Sequence, residues 1–328
     1  MLCINDRRTD PYFNLAAEEY VLKNFEKNCF MLWRNEPSVI VGRHQNSLAE
    51  INVDYIKQNQ IKVVRRLSGG GAVFHDLGNL NFTFIENATS EGLINFQKYT
   101  QPIIAVLQSL DINARFEGRN DLVIDGKKFS GNAEHVFRRR VLHHGTLLFD
   151  SQLADLSGAL NVTPAKFNDK AVKSVRSRVT NIASHLKTQL DIEIFREMIL
   201  NYMITNYNDC QLYEYGDADL AAIHKLREEK YSTWNWNFGQ SPGYSMTNAM
   251  RTGGGNVEIH LDVANGIIKR LRIFGDFFNI ADIAELEKLL AETPHNETDI
   301  RRKLQRINLS DYIINTTVDE LVKILLLI

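Results

Sequence analysis

A run of three glycines, preceded by two arginines, is the first stretch whose residue types could do chemistry. Residues 65–71 read Arg-Arg-Leu-Ser-Gly-Gly-Gly, and the run matches neither the GxxxxGK nor the GxGxxG nucleotide motif. Glycines lack a Cβ atom, so the backbone N–H groups of such a turn can approach an anion closely. The guanidinium groups of Arg65 and Arg66 are forked donors that suit a phosphate or a carboxylate. The stretch therefore predicts an anion cradle, and a tight turn with exposed arginines is the alternative.

Two adjacent lysines, Lys127 and Lys128, stand in a second stretch, where the residues alternate as in a strand. Successive residues of a strand point to opposite faces, so only one of the two lysines can face a site. By that alternation Lys128 shares a face with Ser130, and its ammonium could bridge the carboxylate of one substrate and the phosphate of another. The alternative is a solvated hairpin lysine, the role expected for Lys127.

The third stretch is the histidine pair His143 and His144, which alternation again places on opposite faces of a strand. We expect one of the two at the surface. No cysteine or carboxylate stands at ligand spacing, so packing and hydrogen bonding are favoured over zinc binding, and no structural zinc is predicted. The second glycine triplet, at 253–255, lacks the flanking residues of the first and is interpreted as a turn.

The elements that must position these residues are helices and strands in irregular order. Asp10 and Pro11 give the N-terminal signature of a helix at 12–25, and further helices are predicted at 98–110, 191–205 and 218–230. Short strands bounded by turn residues are predicted at 30–33, 39–42, 61–66, 81–85, 123–124, 127–129 and 141–149. The irregular order favours an α+β fold over repeated βαβ units.

The last part of the chain has the pattern of a separate small domain. Asn265 and Gly266 supply a type I′ turn between alternating runs at 256–263 and 267–274, and short helices are predicted near 280–291, 298–305 and 318–327. A segment rich in Trp, Asn and Gly at 234–243 is interpreted as the boundary. We therefore expect a large domain at 1–240 and a small domain at 241–328.

Composition and charge exclude several classes of protein. The 328 residues suit about two domains, and 38 Lys and Arg against 40 Asp and Glu give a net charge of −2, which offers no positive field for nucleic acid. No apolar run is longer than five residues, so neither a membrane span nor a secretory signal is expected. Three widely spaced cysteines, Cys3, Cys29 and Cys210, argue against a disulfide framework and favour a reducing compartment.

Five motifs, in their order and spacing, resemble the lipoate-protein ligases, in the superfamily that also contains biotin-protein ligases and octanoyl transferases. They are RRLSGGGAVFHDLGN at 65–79, GRNDL at 118–122, KFSGNA at 128–133, HHGTLL at 143–148 and SVRSRVTNI at 174–182. The resemblance covers essentially the whole chain. It implies a large mixed-sheet catalytic domain of the biotin/lipoate ligase type and a small α+β C-terminal accessory domain.

The reaction implied by the resemblance has two steps. Lipoate and ATP give lipoyl-AMP and pyrophosphate, and the lipoyl group then passes to a lysine amine of an acceptor domain. A carboxylate is a poor electrophile, and the mixed anhydride with AMP supplies a good leaving group. ATP and lipoate are therefore the expected substrates, and Mg²⁺ is expected with ATP, with no ligands assigned to the ion.

The same resemblance implies a role for each motif residue. Lys128 is the expected catalytic residue, between the acyl carbonyl and the α-phosphate. The expected ATP contacts are Arg66, Gly71, Ala72, Val73, Phe74 and Lys128. The expected lipoate contacts are Lys128, Ser68, His75 and His144. The residues expected near the adenylate or the incoming lysine are Asn120, Asp121 and Arg176, and the basic segment at 166–180 resembles the family's adenylate-binding loop.

The acceptors implied by the family are the lipoyl domains of 2-oxo acid dehydrogenase complexes, the glycine-cleavage H protein, or both. Neither nucleic acid nor a membrane is an expected partner. We expect a cytoplasmic monomer. The motifs do not distinguish between the acceptors or between lipoate and octanoate.

Three other functions are weighed against the ligase. An ATP-independent octanoyl or lipoyl transferase of the same fold would draw on a cysteine nucleophile in several cases, but all three cysteines lie outside the motifs. A biotin ligase would carry an arginine-rich glycine loop, which does not occur at 68–72. A lipoate-binding sensor would be free to lose Lys128, which is present.

Overall fold

The computed structural model describes residues 1–87, 95–118, 120–160, 167–168, 179–207, 209–241, 243–275, 277 and 279–326. The chain divides into two compact units, each built from three segments of sequence. The large unit comprises Met1–Arg43, Ile61–Ser157 and Val175–Thr233, and the small unit comprises His44–Gln60, Gly158–Ser174 and Trp234–Ile328.

The strands of the described residues are numbered in chain order. They are β1 (Leu2–Asn5), β2 (Cys29–Trp33), β3 (Ser38–Val41), β4 (Lys62–Arg65), β5 (Val73–His75), β6 (Asn79–Asn87), β7 (Ala114–Glu117), β8 (Asp121–Ile124), β9 (Lys127–Phe137), β10 (Arg140–Leu148), β11 (Phe167–Asn168), β12 (Gln211–Tyr213), β13 (Tyr244–Thr252), β14 (Gly255–Ala264) and β15 (Ile267–Gly275).

The helices are numbered in the same way. They are α1 (Pro11–Asn24), α2 (Ser47–Glu50), α3 (Val53–Gln58), α4 (Phe96–Ser109), α5 (Leu153–Ala159), α6 (Ile192–Asn206), α7 (Asp217–Leu226), α8 (Ile283–Leu290), α9 (Glu297–Leu304), α10 (Leu309–Tyr312) and α11 (Val318–Leu326). None of the helices in the described part of the chain combines the length and the apolar character that crossing a membrane requires.

A mixed sheet of eight strands forms the centre of the large unit, in the order β12-β1-β2-β6-β10-β9-β8-β7. β1 runs parallel to both β12 and β2, whereas the other neighbours are antiparallel. The long pair β6 and β10 lies in the middle of the sheet and matches His144 with Thr83. The predicted α+β class is confirmed.

One face of this sheet packs against α4 and α6 and forms the core of the large unit. Phe30, Phe82 and Phe84 of the sheet are buried there with Ile103 of α4 and Phe195 of α6. Full burial of a side chain of this kind stabilises the fold by about 1.5–3 kcal/mol. Apolar packing therefore fixes which way each strand faces.

Helix α1 lies on the opposite face of the large sheet. It begins as predicted, because the Asp10 carboxylate accepts a hydrogen bond from the N–H of Tyr12 at 3.4 Å and Pro11 occupies the first turn. Nearly the whole helix is buried, including the polar side chains of Asn14 and Glu18. Buried polar groups need hydrogen-bond partners, and these partners belong to the candidate site.

A second sheet of the large unit, in the order β4-β3-β5, carries the first glycine triplet. β3 is parallel to β4 and antiparallel to β5. Residues 66–72 connect β4 to β5, so a strand anchors the glycine turn at each end.

The small unit is built on the predicted hairpin. Asn265 and Gly266 have φ values of 51° and 70°, the positive values of a type I′ turn, so the prediction is confirmed. β14 and β15 pack with α8, α9 and α11 around an apolar core. A Cβ atom at Gly254 would lie 2.0 Å from the carbonyl oxygen of Ile314. The second glycine triplet is therefore a turn that packs closely against the chain.

The cysteine spacing argued against a disulfide framework, yet the structure contains one disulfide among its described residues. Cys3 and Cys210 form a disulfide between residues 207 positions apart. The parallel pairing of β1 with β12 sets Leu2 beside Gln211 and so brings the two cysteines together. Cys29 is a buried free thiol. Spacing along the sequence does not report contacts that strand pairing creates.

Candidate functional site

Arg66 organises the glycine turn from within. Its Nε atom donates to the hydroxyl oxygen of Ser68 at 3.0 Å. Its Nη2 atom donates to the carbonyl oxygens of Gly69 and Gly71, both at 2.8 Å. Gly70 has a φ of 94°, a conformation that favours glycine. The arginine that precedes the turn therefore holds its shape.

The side chains of Arg65 and Arg66 are both buried, and their guanidinium N–H groups donate to backbone carbonyl oxygens. The Nη1 atom of Arg66 donates to the carbonyl oxygen of Ile40 at 3.1 Å, and that of Arg65 donates to Gly42 and Arg43 at 3.0 and 3.1 Å. Burial lowers the pKa of each guanidinium to about 10, so both are cations at neutral pH. The alternative of a turn with exposed arginines is wrong.

A chain of hydrogen bonds runs from the glycine turn to α1. The hydroxyl of Ser68 lies 2.6 Å from Nε2 of His144, and Nδ1 of His144 lies 3.0 Å from Oε1 of Glu18. Glu18 also accepts a hydrogen bond from Thr83 at 2.6 Å, and the indole N–H of Trp33 donates to the Thr83 oxygen at 2.9 Å. Each of these five residues is at most 9% exposed. The chain fixes the His144 ring beside the turn.

His75, at the end of β5, is the second histidine of the site. Its Nδ1 atom lies 3.0 Å from Nδ2 of Asn35 and 3.5 Å from Nδ2 of Asn81. Burial, with a smaller contribution from the cationic Arg66, lowers the pKa of His75 to about 3, so the ring is neutral. Its Nε2 atom is buried and has no hydrogen-bond partner among the described residues. Such an atom is a natural contact for a bound ligand.

His143 and His144 point to opposite faces of the large sheet, as predicted, but neither is exposed. His143 is fully buried, with Nδ1 3.0 Å from Glu134 and Nε2 3.3 Å from Asn132. Burial lowers the pKa of His143 even though Glu134 acts in the other direction. The expectation that one histidine lies at the surface is wrong, because helices cover both faces of β10.

Lys128 forms an ion pair with Asp121. Its Nζ atom lies 2.7 Å from Oδ1 of Asp121, and the two side chains are 28% and 33% exposed. Lys127 is exposed, as expected for the solvated neighbour. The carbonyl oxygen of Lys128 accepts a hydrogen bond from the N–H of Thr180 at 2.8 Å. Residues 179–180 are therefore joined to the strand that carries the lysine.

A β-bulge decides the direction of Lys128. Lys128 pairs with Val123, and Ser130 pairs with Leu122. Paired residues share a face, and adjacent residues of a strand do not. The bulge therefore puts Lys128 and Ser130 on opposite faces, and the expectation that they share one is wrong.

The strand register brings Lys128 to the same face as His144. Asp121 pairs with Gly131, which lies two residues from Ala133, the partner of His144. Asp121, Gly131 and His144 consequently share one face of the large sheet, and Lys128 reaches Asp121 on it. We call this the site face.

Asn120 holds the beginning of β8. Its Nδ2 atom donates to the carbonyl oxygen of Asn132 at 2.6 Å, and Nδ2 of Asn132 donates to the carbonyl oxygen of Asn120 at 3.1 Å. This reciprocal pair fixes the turn from which Asp121 projects.

The predicted ATP contacts at 71–74 lie on β5 and in the turn before it. β5 is an edge strand of the three-stranded sheet, and the unpaired edge of a strand offers backbone donors and acceptors. The side chain of Phe74 is buried. A nucleotide can therefore contact Phe74 only through the backbone of this residue.

One predicted feature lies outside the described geometry. Arg176 and most of the basic segment at 166–180 lie outside the described residues. Across the parts of the chain that are described, no group of three or more His, Cys, Asp and Glu side chains is placed to hold a metal ion.

Four polar residues that support the two site histidines were not predicted from the sequence. They are Asn14 and Glu18 on α1, Asn35 after β2 and Thr83 on β6, and all of them lie outside the five motifs. A signal was available, because Asn14 and Glu18 lie one turn apart among the apolar residues Phe13, Leu15, Ala16 and Ala17, and polar residues in such a setting predict buried partners.

Two family models match the chain. The lipoyl protein ligase A/B catalytic domain matches residues 10–204, and the bacterial lipoate protein ligase C-terminus matches residues 241–325. The fold and the site thus belong to a protein-modifying ligase with a C-terminal domain.

Similar proteins agree with the family models. The chain is 41% identical to the lipoate-protein ligase LplJ of Bacillus subtilis, over 96% of this chain and 97% of that protein. The bipartite lipoate protein ligase of Thermoplasma acidophilum, studied with its E2 lipoyl domain, has a TM-score of 0.63 and 26% identity, covering 73% of this chain and 96% of that one. A lipoate-protein ligase A bound with ATP has a TM-score of 0.62 and 25% identity, covering 73% of this chain and 98% of that one. The chain belongs to the lipoate-protein ligase family.

Family membership confirms the predicted enzyme class, the predicted fold and the predicted ligase activity. Nothing favours the ATP-independent transferase. Burial raises the pKa of the Cys29 thiol to about 11, and Cys3 and Cys210 are paired. None of the three cysteines is therefore a thiolate poised for nucleophilic attack at neutral pH.

Proposed function

We propose that the site face and the glycine turn together carry out both half-reactions of a lipoate-protein ligase. In the first, a carboxylate oxygen of lipoate attacks the α-phosphorus of ATP, the bond to the β-phosphate breaks, and pyrophosphate leaves. In the second, the amine of an acceptor lysine attacks the acyl carbon of lipoyl-AMP and loses a proton, AMP leaves, and an amide forms. The supporting observation is that Lys128, Asp121 and His144 share one face, with His144 bonded to the glycine turn.

Lys128 is proposed to stabilise the transition states of both steps. Negative charge builds on the phosphoryl oxygens in the first step and on the carbonyl oxygen in the second. Asp121 holds the Lys128 ammonium at 2.7 Å, so the positive charge is in place before the reaction begins. An ammonium is a compact charge with three donors and can serve two oxygens at once.

ATP is proposed to lie along the glycine turn and the free edge of β5. The proposed contacts are Arg66, Gly71, Ala72, Val73, Phe74 and Lys128. Arg66 already donates four hydrogen bonds inside the fold. Its role is therefore to shape the turn and to contribute positive charge beneath the phosphates. A relative solved with ATP supports ATP as a substrate.

Lipoate is proposed to contact Ser68, His75 and His144, with its carboxylate beside Lys128. Ser68 and His144 are already bonded to each other at 2.6 Å. His75 contributes the buried Nε2 atom that has no partner in the described part of the chain. This atom is the group that a substrate oxygen would satisfy.

The remaining predicted residues are proposed to serve the adenylate and the incoming lysine. Asn120 fixes the turn before β8, Asp121 orients Lys128, and Arg176 is assigned to the adenylate. Mg²⁺ is proposed to arrive with ATP, since this ion is commonly held by substrate phosphates, several waters and one or two carboxylates.

The proposed acceptor is the lipoyl domain of a 2-oxo acid dehydrogenase complex, the glycine-cleavage H protein, or both. The archaeal relative studied with its E2 lipoyl domain supports this class of acceptor. We further propose a monomer that acts in the cytoplasm, with a catalytic domain at 1–240 and an accessory domain at 241–328.

An ATP–pyrophosphate exchange assay without acceptor protein tests the first half-reaction. The purified chain is incubated with ATP, labelled pyrophosphate and either lipoate, octanoate or biotin. We expect exchange with lipoate and none with biotin. Absence of exchange, together with acyl transfer between carrier domains in the absence of ATP, would replace the ligase with the transferase.

A further inference from the structure

We propose that helix α1 holds the two histidines of the site in opposite tautomers, with Asn14 and Glu18 as positioning residues. His144 carries its proton on Nδ1, and His75 carries its proton on Nε2. The meaning of this arrangement for catalysis rests on the proposed function, whereas the tautomers themselves can be measured independently.

The tautomer of His144 follows from the groups at its two ring nitrogens. A carboxylate such as that of Glu18 only accepts hydrogen bonds, so Nδ1 of His144, 3.0 Å away, donates. Nε2 faces the Ser68 hydroxyl at 2.6 Å. The Ser68 oxygen already accepts a hydrogen bond from Nε of Arg66. Within the described residues, the acceptor that remains for the Ser68 proton is Nε2 of His144.

The tautomer of His75 follows from a relay of two asparagines. Nδ2 of Asn14 lies 3.0 and 2.8 Å from the carbonyl oxygens of Arg8 and Arg34, so it is the amide nitrogen that faces them. The same nitrogen lies 2.9 Å from Oδ1 of Asn35, and because it carries only two protons, one of them is shared between two of the three acceptors. Asn35 therefore turns its own N–H toward Nδ1 of His75 at 3.0 Å. Nδ1 is an acceptor, and the neutral ring carries its proton on Nε2.

Both hydrogen-bond relays, Glu18 to His144 and Asn14 through Asn35 to His75, begin on one face of α1. Asn14 and Glu18 are four residues apart, which is about one helical turn, and they are 2% and 3% exposed. His75 and His144 lie on strands of two different sheets. Helix α1 is therefore the element that both relays share.

Opposite tautomers prepare the site for an oxygen-bearing substrate. The buried Nε2–H of His75 has no partner among the described residues, so it can donate to a carboxylate or carbonyl oxygen. Nε2 of His144 instead accepts the Ser68 proton and fixes that hydroxyl. Donors that are oriented before binding need no rearrangement when the substrate arrives.

Side-chain ¹⁵N NMR of the histidine-labelled full chain tests the tautomers directly, because ring correlations separate an Nδ1–H from an Nε2–H imidazole. His75→Gln and His144→Gln variants assign the two signals. We expect Nε2–H for His75 and Nδ1–H for His144 in the ligand-free protein. The same tautomer in both rings, or the reverse assignment, overturns the proposal.

Variants of Glu18 test the positioning role. Glu18→Gln keeps an amide oxygen where Oε1 accepts from both Thr83 and His144, and we expect the Nδ1–H signal of His144 to persist. Glu18→Leu removes that acceptor, and we expect the signal to change and the KM for lipoate in the exchange assay to rise about tenfold, as for one lost hydrogen bond. The KM for ATP should stay within about twofold of the original value.

Glu19→Leu is the matched control on the same helix. The carboxylate of Glu19 is equally buried but pairs with Lys23, Lys230 and Tyr231 rather than with the histidines. We expect this variant to lose stability and to keep both histidine signals and the KM for lipoate. Equal changes in the Glu18→Leu and Glu19→Leu variants would reduce Glu18 to a structural role.

The proposed function and the proposed role of α1 are overturned by different results. A wild-type chain with the expected tautomers but without lipoate-dependent exchange overturns the proposed function and leaves the role of α1 intact. Lipoate-dependent exchange with both rings in one tautomer overturns the role of α1 alone.

Discussion

The ammonium group of Lys128 is the charge on which both proposed half-reactions depend. Replacing Lys128 with methionine keeps most of the side chain's volume and removes the charge. Loss of a preorganised donor of this kind costs about 2.7–4 kcal/mol, so we expect lipoate-dependent exchange to fall by about 10²–10³. The initial rate at saturating ATP and lipoate measures this.

Lys127→Met is the matched control for that experiment. Its side chain is exposed, and the adjacent position on the strand points away from Lys128. We expect the exchange rate of this variant to equal that of the wild type. A Lys128→Met variant as active as the Lys127→Met variant would remove Lys128 from the mechanism.

Gly131 offers a subtler test of the same charge. A Cβ atom at this position would lie 3.0 Å from Nζ of Lys128, so alanine must push the ammonium aside without deleting it. We expect Gly131→Ala to lower the exchange rate about tenfold, which corresponds to about 1.4 kcal/mol of lost transition-state stabilisation. A crystal structure of the variant should show Nζ displaced, and an unchanged rate with a displaced Nζ would contradict the proposed role.

Individual site residues were predictable where one motif contains the whole local environment. The glycine turn is such a case, because Arg66 and Ser68, which hold it, stand in the same motif. The burial of Arg65 and Arg66 was not predictable, because the carbonyl groups they bond belong to β3 and to the residues that follow it. Glu18 was missed for the same reason, since its partner His144 is 126 residues away.

Helix ends and turns were predicted well where a few neighbouring residues define them. The cap at Asp10 and the turn at Asn265 and Gly266 each depend on residues next to one another. The bulge in β9 has no such signal, because it arises from the register with β8. One extra residue there reverses the face of every position before it. Strict alternation therefore predicted one face for Lys128 and Ser130, whereas the two side chains lie on opposite faces.

His295 gives the small unit a pH dependence. It is buried and its Nε2–H donates to the carbonyl oxygen of Leu325 at 2.7 Å on α11. Burial lowers the pKa of His295 from 6.5 to about 4. As the pH falls from 6.5 to 4, the unfolded chain takes up a proton that the folded chain refuses, so stability is lost over that interval.

His295→Gln isolates this effect. The shift corresponds to about 3 kcal/mol, so the free energy of unfolding of the wild type should fall by about that much more than that of the variant between pH 7 and pH 4. Chemical denaturation at a series of pH values measures both curves. Parallel curves would show that His295 does not carry this dependence.

The cysteines of the sheet edge and core should be dispensable for catalysis. Cys3 and Cys210 connect β1 with the edge strand β12, and Cys29 is buried in β2. We expect the triple variant Cys3→Ser, Cys29→Ala and Cys210→Ser to keep its lipoate-dependent exchange rate within about twofold while its melting temperature falls. A triple variant that folds but has lost exchange would show that a cysteine takes part in the activation step.

For the chain as a whole, the predicted α+β class is confirmed, and the division into domains at 1–240 and 241–328 stays a prediction. Each unit collects three separate segments, and residues 44–60 count with the small unit although they stand near the beginning of the chain. Periodicity and turn residues describe neighbours in sequence, so a boundary drawn from them is a single position. Discontinuous units arise from contacts between segments far apart, such as the hydrogen bond from the N–H of Ser47 to the hydroxyl of Ser241.

The ribosome synthesises the first segment of the small unit, 44–60, long before the segments with which it must fold. Ser47 emerges 194 residues before its partner Ser241, an interval of roughly 10–40 s at about 5–20 residues per second. Throughout this time the segment at 44–60 waits without the sheet and helices that will complete its unit. The segment at 44–60 therefore stays incomplete until the strands and helices of the small unit have been synthesised.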